Sequence, residues 1–229
     1  MRELVDTPFF GIIISIAAYE LGLILYRKTK LSILNPLLIS IALVMAFLAK
    51  FNISLDSYNK GGDIISIFLG PATVILAVPL YKQFESLKAN VVPITAGIFA
   101  GCVAAVSSVY LLARLFRLPQ VLSLSLIPKS ITTPIGIELS KQIGGIPPVT
   151  VAAIIITGIM GAVLGPFICK SLKITDSIAV GVALGTSSHA IGTTKAIELG
   201  EVEGAMSGLS IGVAGLITVF ITLGAARFF

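Results

Sequence analysis

The chain has 229 residues, of which 56% are hydrophobic and 12% are charged, and its mean hydropathy is +1.04. A chain this apolar does not have water as its main solvent, which excludes an ordinary soluble domain. The formal net charge of +5 is spread over short loops, with no basic block or aromatic platform, so no nucleic-acid partner is expected.

Two plain apolar helices are predicted at the start of the chain, over residues 8–26 and 34–49. The first is interpreted as a retained helix rather than a cleaved signal peptide, because acidic residues precede it and no small-residue cleavage site follows it. The basic cluster of Arg27, Lys28 and Lys30 lies between the two helices. The positive-inside rule therefore favours a cytoplasmic loop here and an N-terminus outside, but basic pairs at other helix ends, such as Lys170 with Lys173, compete with this orientation.

From residue 59 onward the apolar sequence is interrupted by helix-breaking proline and glycine. The interrupted stretches are residues 62–81, 118–145 and 178–200, and each is followed by a continuous apolar helix. The sequence thus predicts two regions, residues 1–58 with two helices and residues 59–229 with a repeat-containing core. The expected fold class is an all-α polytopic membrane protein with about 7–8 transmembrane segments, several of them broken or re-entrant.

An internal repeat relates the second and third interrupted stretches. Residues 131–144 align with residues 191–204 at an offset of 60, with six identical positions that include Thr133/Thr193 and Glu138/Glu198. Paired interrupted segments are typical of secondary transporters, whose substrate binds where the half-helix ends meet. The alternative is that proline and glycine merely kink ordinary packed helices, and the relative orientation of the repeats is left open.

The most polar stretch within an apolar context spans residues 184–195. A half-helix beginning near Gly192 offers free N–H groups and a positive dipole end, so a small carboxylate fits there. The candidate anion-binding residues of this stretch are Ser188, His189, Gly192, Thr193, Thr194 and Lys195. Alternatively, His189 is a buried neutral imidazole between helices and Lys195 pairs with Glu198, three residues further on.

The equivalent stretch supplies a second set of candidates, and the repeat register places Lys129 opposite His189. These candidates are Lys129, Ser130, Thr132 and Thr133, with Pro134 suited to begin a helix and Glu138 expected to pair with Lys141. The first interrupted stretch adds weaker candidates. They are Asn59, in the run Asn59–Asp63 with N-terminal capping character, and Gly70, Pro71 and Thr73 at a break.

No catalytic or metal-binding constellation stands out, so neither an enzyme nor a metal or cofactor site is expected. Cys102 and Cys169 lie in apolar spans without metal-ligand spacing. The sequence contains no nucleophile elbow, zinc-protease motif or phosphate loop. An intramembrane hydrolase built on Ser188, His189 and Lys195 is the remaining catalytic alternative.

Four motifs occur in the order typical of the LrgB/CidB family, and the chain resembles that family over nearly its whole length. They are Asn59-Lys60-Gly61-Gly62, Phe68-Leu69-Gly70-Pro71-Ala72-Thr73, Pro128-Lys129-Ser130-Ile131-Thr132-Thr133-Pro134 and Leu184-Gly185-Thr186-Ser187-Ser188-His189-Ala190-Ile191-Gly192-Thr193. The resemblance implies a bacterial plasma-membrane protein that works with a small LrgA-like, holin-like partner.

Two functions are implied by this resemblance. The first is secondary transport of a small 2-oxo or 2-hydroxy monocarboxylate, of the pyruvate, glycolate or glycerate class. The alternative is an antiholin-like regulator of murein hydrolase export and cell lysis without transport of its own; a passive pore is third. A homo-oligomer is also expected, because small residues give smooth helix faces. These are Gly11, Gly22, Gly204, Gly208, Gly212 and Gly215.

Overall fold

The computed structural model describes residues 5–29, 34, 36–68, 71, 74–75 and 77–225. Within these residues the regular structure is helical, which confirms the all-α prediction. Four described helices are long and apolar enough to cross a bilayer: Pro8–Thr29, Val91–Leu115, Pro147–Ser171 and Glu201–Gly224. The chain divides into two compact units, Met1–Ile75 and Leu76–Phe229.

The first unit contains α1 (Pro8–Thr29), α2 (Pro36–Lys50) and α3 (Leu55–Ile67). Gly11 of α1 and Gly61 of α3 approach so closely that a Cβ on either one would overlap the other helix's backbone. Gly22 packs in the same way against the backbone of Pro36. Gly11 and Gly22, predicted as association surfaces, therefore mediate helix packing inside this unit.

Helix α3 begins earlier than the sequence suggested. Ser54 caps it by accepting a hydrogen bond from the Ser57 N–H at 3.2 Å, so the run Asn59–Asp63 lies within the helix and its predicted capping role is wrong. Lys60 instead forms an ion pair with Asp6 at 2.8 Å. The hydrogen bond from Lys60, assisted by one from Ser57, lowers the pKa of the Asp6 carboxyl.

The second unit contains the rest of the described chain. Its helices are α4 (Ala77–Lys82), α5 (Phe84–Ala89), α6 (Val91–Leu115), α7 (Gln120–Leu126), α8 (Thr133–Gln142), α9 (Pro147–Ser171), α10 (Ser177–Leu199) and α11 (Glu201–Ala225). A short 3-10 turn, Ile127–Ser130, separates α7 from α8. Helix α8 starts at Thr133 with Pro134 in its first turn, as the sequence predicted.

Helices α7 and α8 with the turn between them form a re-entrant loop, called hairpin 1 here. Both helices contact the first turn of α9, where three fully buried hydroxyl residues meet. Ser125 Oγ accepts from the Ile146 N–H at 2.7 Å, and Thr150 Oγ1 donates to the Ser125 carbonyl at 2.8 Å. The Thr150 hydroxyl also lies 2.7 Å from the Ser140 hydroxyl. The tip, Ile127–Ser130, projects beyond this cluster toward the middle of α6 and α9.

Helix α10 is also folded back on itself, and its two arms are called hairpin 2 here. His189 has φ 44° and ψ −137°, a conformation that breaks the helix between the arms, residues 177–188 and 190–199. A Cβ on Gly192 would lie 2.6 Å from the Leu184 carbonyl oxygen, a proximity that a straight helix does not allow across eight residues. The break falls three residues before Gly192, where the sequence suggested it.

The two hairpins enter from opposite ends of the unit. On α6, Gly97 and Gly101 face Val182 and Thr186, so α6 runs parallel to the first arm of hairpin 2. On α9, Gly161 and Gly165 face Ser188 and Leu184 in reverse order, so α9 runs antiparallel to that arm. Each hairpin follows one of these oppositely directed 25-residue helices. The repeat predicted from the sequence is therefore inverted.

Hairpin 2 depends on glycine where it packs against α11. A Cβ on Gly185 would overlap the Ser207 carbonyl oxygen, whereas a Cβ on Gly212 of α11 has nothing within 4 Å. We expect Gly185→Ala to destabilise the protein by about 2–3 kcal/mol or more through backbone overlap. Gly212→Ala should be neutral or stabilising, because alanine favours a helix by roughly 0.5–1 kcal/mol over glycine.

The measurement is thermal unfolding in detergent, followed with a thiol-reactive dye, since both free cysteines are buried in the folded protein. A melting temperature for Gly185→Ala equal to that of Gly212→Ala would contradict this packing of hairpin 2 on α11.

Candidate functional site

The second unit contains an open cavity of about 970 Å³ between α6, α9, the first arm of hairpin 2 and the tip of hairpin 1. One end is lined by Asn90 and Asp176, which precede α6 and α10. The other end is lined by Ser108 and by Lys129 and Ser130 at the tip. The cavity thus extends from the end of the unit at which hairpin 2 enters to the tip of hairpin 1.

Among the described residues, Lys129 is the only cationic one that lines the cavity. Its Nζ donates to Ser130 Oγ at 3.1 Å, and the described structure gives it no carboxylate partner. The acidic residue among the described lining, Asp176, caps α10 by accepting from the Ala179 N–H at 2.8 Å. An unpaired ammonium within a largely apolar unit favours an anion or water as its partner.

Hairpin 2 contributes hydroxyl groups to the same cavity, from Thr186, Ser187 and Ser188. Ser187 Oγ donates to the Ala183 carbonyl at 2.7 Å and lies 2.9 Å from Ser188 Oγ. Because Ser187 uses its proton on that carbonyl, Ser188 is the donor between the two serines. Thr186 differs from both, since its buried hydroxyl has no hydrogen-bond partner within the described chain.

His189 holds the turn of hairpin 2 against α9 and does not line the cavity. Its Nε2 lies 2.9 Å from the Ile154 carbonyl oxygen, an acceptor, so Nε2 carries a proton and donates. The ring is 3% exposed and occupies space left by Gly158, where a Cβ would lie 2.6 Å from His189 Cε1. His189 is thus a buried imidazole that is hydrogen-bonded between helices, as the alternative interpretation of the sequence expected.

The remaining candidates of hairpin 2 also lie outside the cavity lining. Thr193 is buried, donates to the His189 carbonyl at 3.0 Å and contacts Ser207 Oγ at 2.7 Å. Thr194 is exposed and donates to the Ala190 carbonyl at 3.2 Å. Lys195 pairs with Glu198 at 2.8 Å, as the alternative interpretation expected. Gly192 supports the turn by its close approach to Leu184.

The candidates of hairpin 1 divide similarly. Lys129 and Ser130 line the cavity, whereas Thr132 is the N-cap residue of α8 and Thr133 its first residue. The predicted Glu138–Lys141 pair is present at 2.7 Å. The structure therefore brings together Lys129, Ser130 and Ser188 from the residues that the sequence singled out.

The weaker candidates belong to the first unit. Asn59 is an exposed residue of α3, and Pro71 is exposed. Gly70 and Thr73 lie outside the described residues.

Sequence reasoning missed four hydroxyl residues of the cavity: Ser108, Thr157, Thr186 and Ser187. Thr186 and Ser187 belong to the polar stretch 184–195. They differ from residues 189–195 of that stretch because they lie on the cavity side of the first arm. Thr157 lies in a continuous apolar helix and gives no local signal.

Comparison with known proteins agrees with these features. The sequence model of the LrgB-like family matches residues 15–228. The antiholin-like protein LrgB of Bacillus subtilis (strain 168) is 42% identical over 216 residues, which cover 94% of each chain. The proteins of the same name from Bacillus mycoides (strain KBAB4) and Bacillus cereus (strain B4264) are each 38% identical over the same coverage. No solved structure matches this chain.

The family match covers nearly the whole chain, and the chain has apolar helices long enough to span a bilayer. Together these findings show the protein family and the membrane location. The chain belongs to the LrgB-like family and is a bacterial multi-pass membrane protein.

Proposed function

We propose that this chain is a secondary transporter that carries a small 2-oxo or 2-hydroxy monocarboxylate and works with a small LrgA-like partner. The carboxylate binds at the tip of hairpin 1, where Lys129 and Ser130 line the cavity. The observation that carries the proposal is the unpaired Lys129 ammonium in a cavity whose walls are otherwise mostly apolar or hydroxylic.

The lining favours a small, singly charged anion. One ammonium balances one carboxylate, and a second carboxylate would have no cation among the lining residues. Thr186 supplies an unused donor for an oxygen next to the carboxylate, whereas Ser187 and Ser188, whose protons are already used, accept from a 2-hydroxyl group. Two hairpins of inverted repeats that meet near the cavity are the arrangement through which transporters expose one site to two sides.

A second candidate function is suggested by the relatives, which are named antiholin-like proteins. In that case the chain regulates a holin-like partner and moves no solute itself. Uptake of labelled pyruvate, glycolate and glycerate into proteoliposomes, with and without the small partner, separates the two. Saturable uptake with counterflow supports transport, its absence under both conditions supports regulation, and non-saturating flux without counterflow indicates a pore.

Substitution of the two candidate lysines tests the position of the site. We expect Lys129→Gln to weaken carboxylate binding about 30-fold, or roughly 2 kcal/mol, because a charge-assisted hydrogen bond is lost. Lys195→Gln should bind normally, since Lys195 is paired with Glu198 outside the cavity lining. The measurement is the melting temperature as a function of carboxylate concentration. Weaker binding in Lys195→Gln with normal binding in Lys129→Gln would place the anion elsewhere.

The unpartnered hydroxyl of Thr186 provides a second test. Thr222 of α11 also has a buried hydroxyl without a partner in the described structure, but it does not line the cavity. Replacing either by valine removes an unsatisfied polar group and should leave the protein as stable or more stable. We expect Thr186→Val to weaken carboxylate binding about fivefold, and Thr222→Val to leave it unchanged. Equal affinities in the two variants would remove Thr186 from the site.

His189 is the remaining question for proton coupling. Because its imidazole lies outside the cavity lining and donates to Ile154, we expect no role for it in carrying a proton. His189→Asn keeps a donor and tolerates a positive φ better than most residues. The pH dependence of uptake should therefore match that of the wild type, although stability should fall. Loss of the pH dependence in a folded variant would instead assign His189 a proton-linked role.

A further inference from the structure

A second pocket, of about 320 Å³, lies where α6 ends and hairpin 1 begins. Arg114 and Arg117 line it, together with the polar residues Tyr110, Gln120 and Ser123. None of the lining residues in the described part of the chain is acidic. Neither arginine forms an ion pair within the described chain, whereas Lys82, Lys141 and Lys195 of the same unit each contact a glutamate. The two arginines therefore give the described lining of the pocket a net positive charge.

Local geometry places both arginines at this pocket. The guanidinium carbon of Arg114 lies 5.0 Å from the centroid of the Tyr110 ring, which orients the group. Arg117 has φ 52°, and this left-handed residue ends α6 and turns the chain toward α7. The Leu118 N–H closes the turn by donating to the Ala113 carbonyl at 2.9 Å.

The pocket also has the surroundings of a lipid headgroup. Arg114 is in the last turn of a 25-residue apolar helix long enough to cross the bilayer, so the pocket lies near the membrane interface. Leu111, Leu112 and Leu115 on the same helix are 64%, 51% and 72% exposed, and they give acyl chains an apolar surface beside the arginines. Guanidinium groups bind phosphate oxygens in pairs, with fixed geometry.

We propose that the pocket formed by Arg114 and Arg117 binds the phosphate group of an anionic phospholipid. The site is separate from the carboxylate cavity, shares no lining residue with it and does not depend on the proposed transport. A lipid bound here bridges the end of α6 and the start of hairpin 1, because Gln120 and Ser123 belong to α7. It therefore stabilises the folded second unit.

The inverted repeat supplies a matched control. Lys170 and Lys173 occupy the positions equivalent to Arg114 and Arg117, at an offset of 56 residues, at the end of α9. Lys173 has φ 57°, and its N–H donates to the Lys170 carbonyl at 3.1 Å, as Arg117 donates to Arg114 at 3.1 Å. The same double charge removal can thus be made at two helix ends with the same backbone geometry.

The experiment is native mass spectrometry of the full chain in detergent with equal amounts of phosphatidylglycerol and phosphatidylcholine, paired with melting temperatures in each lipid. We expect the wild type and Lys170→Gln/Lys173→Gln to retain phosphatidylglycerol selectively and to be stabilised by it. Arg114→Gln/Arg117→Gln should lose about tenfold in selective retention and most of the stabilisation. Arg114→Lys/Arg117→Lys, which keeps the charge but not the paired geometry, should be intermediate.

Three outcomes would overturn the proposal. If Lys170→Gln/Lys173→Gln lost as much phosphatidylglycerol retention as Arg114→Gln/Arg117→Gln, only net charge would attract the lipid. Unchanged retention in Arg114→Gln/Arg117→Gln would mean that the lipid binds elsewhere. Stabilisation by inorganic phosphate or glycerol phosphate as strong as that by phosphatidylglycerol, and lost in the same variant, would mean that the pocket takes a soluble phosphate.

Discussion

Lipid offers no hydrogen-bond partners, so every backbone group freed where a helix breaks within this protein must be satisfied by the protein itself or by water. The two hairpins show how this is achieved. In hairpin 1, the hydroxyls of Ser125, Ser140 and Thr150 join both helices of the loop to the first turn of α9. In hairpin 2, the His189 carbonyl accepts from Thr193, and the His189 ring donates to Ile154. Much of the buried polarity is therefore structural.

Close packing of helices follows from the same constraint, because the hairpins must be enclosed. Gly158 and Gly161 of α9 leave space for His189 and Ser188, and Gly185 lets hairpin 2 approach the backbone of α11. Several small residues that suggest an association surface in the sequence are thus used within the fold, as Gly204 is against Ile197 and Gly215 against Ile135, whereas a Cβ on Gly212 has nothing within 4 Å. Close backbone approach stabilises helix contacts in lipid, where the hydrophobic effect between helices is absent.

The cavity differs from these structural networks because some of its polar side chains lack a full set of hydrogen-bond partners. Lys129 contacts one hydroxyl, and Thr186 contacts none in the described structure. Most other polar residues of the hairpins are bonded to a carbonyl or a carboxylate, including Thr193 and Lys195. A polar group without a partner next to a cavity destabilises the empty protein, and a bound anion would offset that free-energy cost. The proposed site depends on this difference.

Composition and local helix breaking were enough to predict the membrane class, the helical fold, the interrupted segments and the pairing of residues 131–144 with 191–204. Local pairs such as Glu138–Lys141 were also predictable from helical spacing. The inverted direction of the repeat is visible only in the folded protein, because it depends on which helices pack together, as the contact of Gly101 with Thr186 shows. The tertiary structure also separated Lys129, which lines the cavity, from Thr193 and Lys195, because the position of the turn at His189 sets which side of each arm faces the cavity.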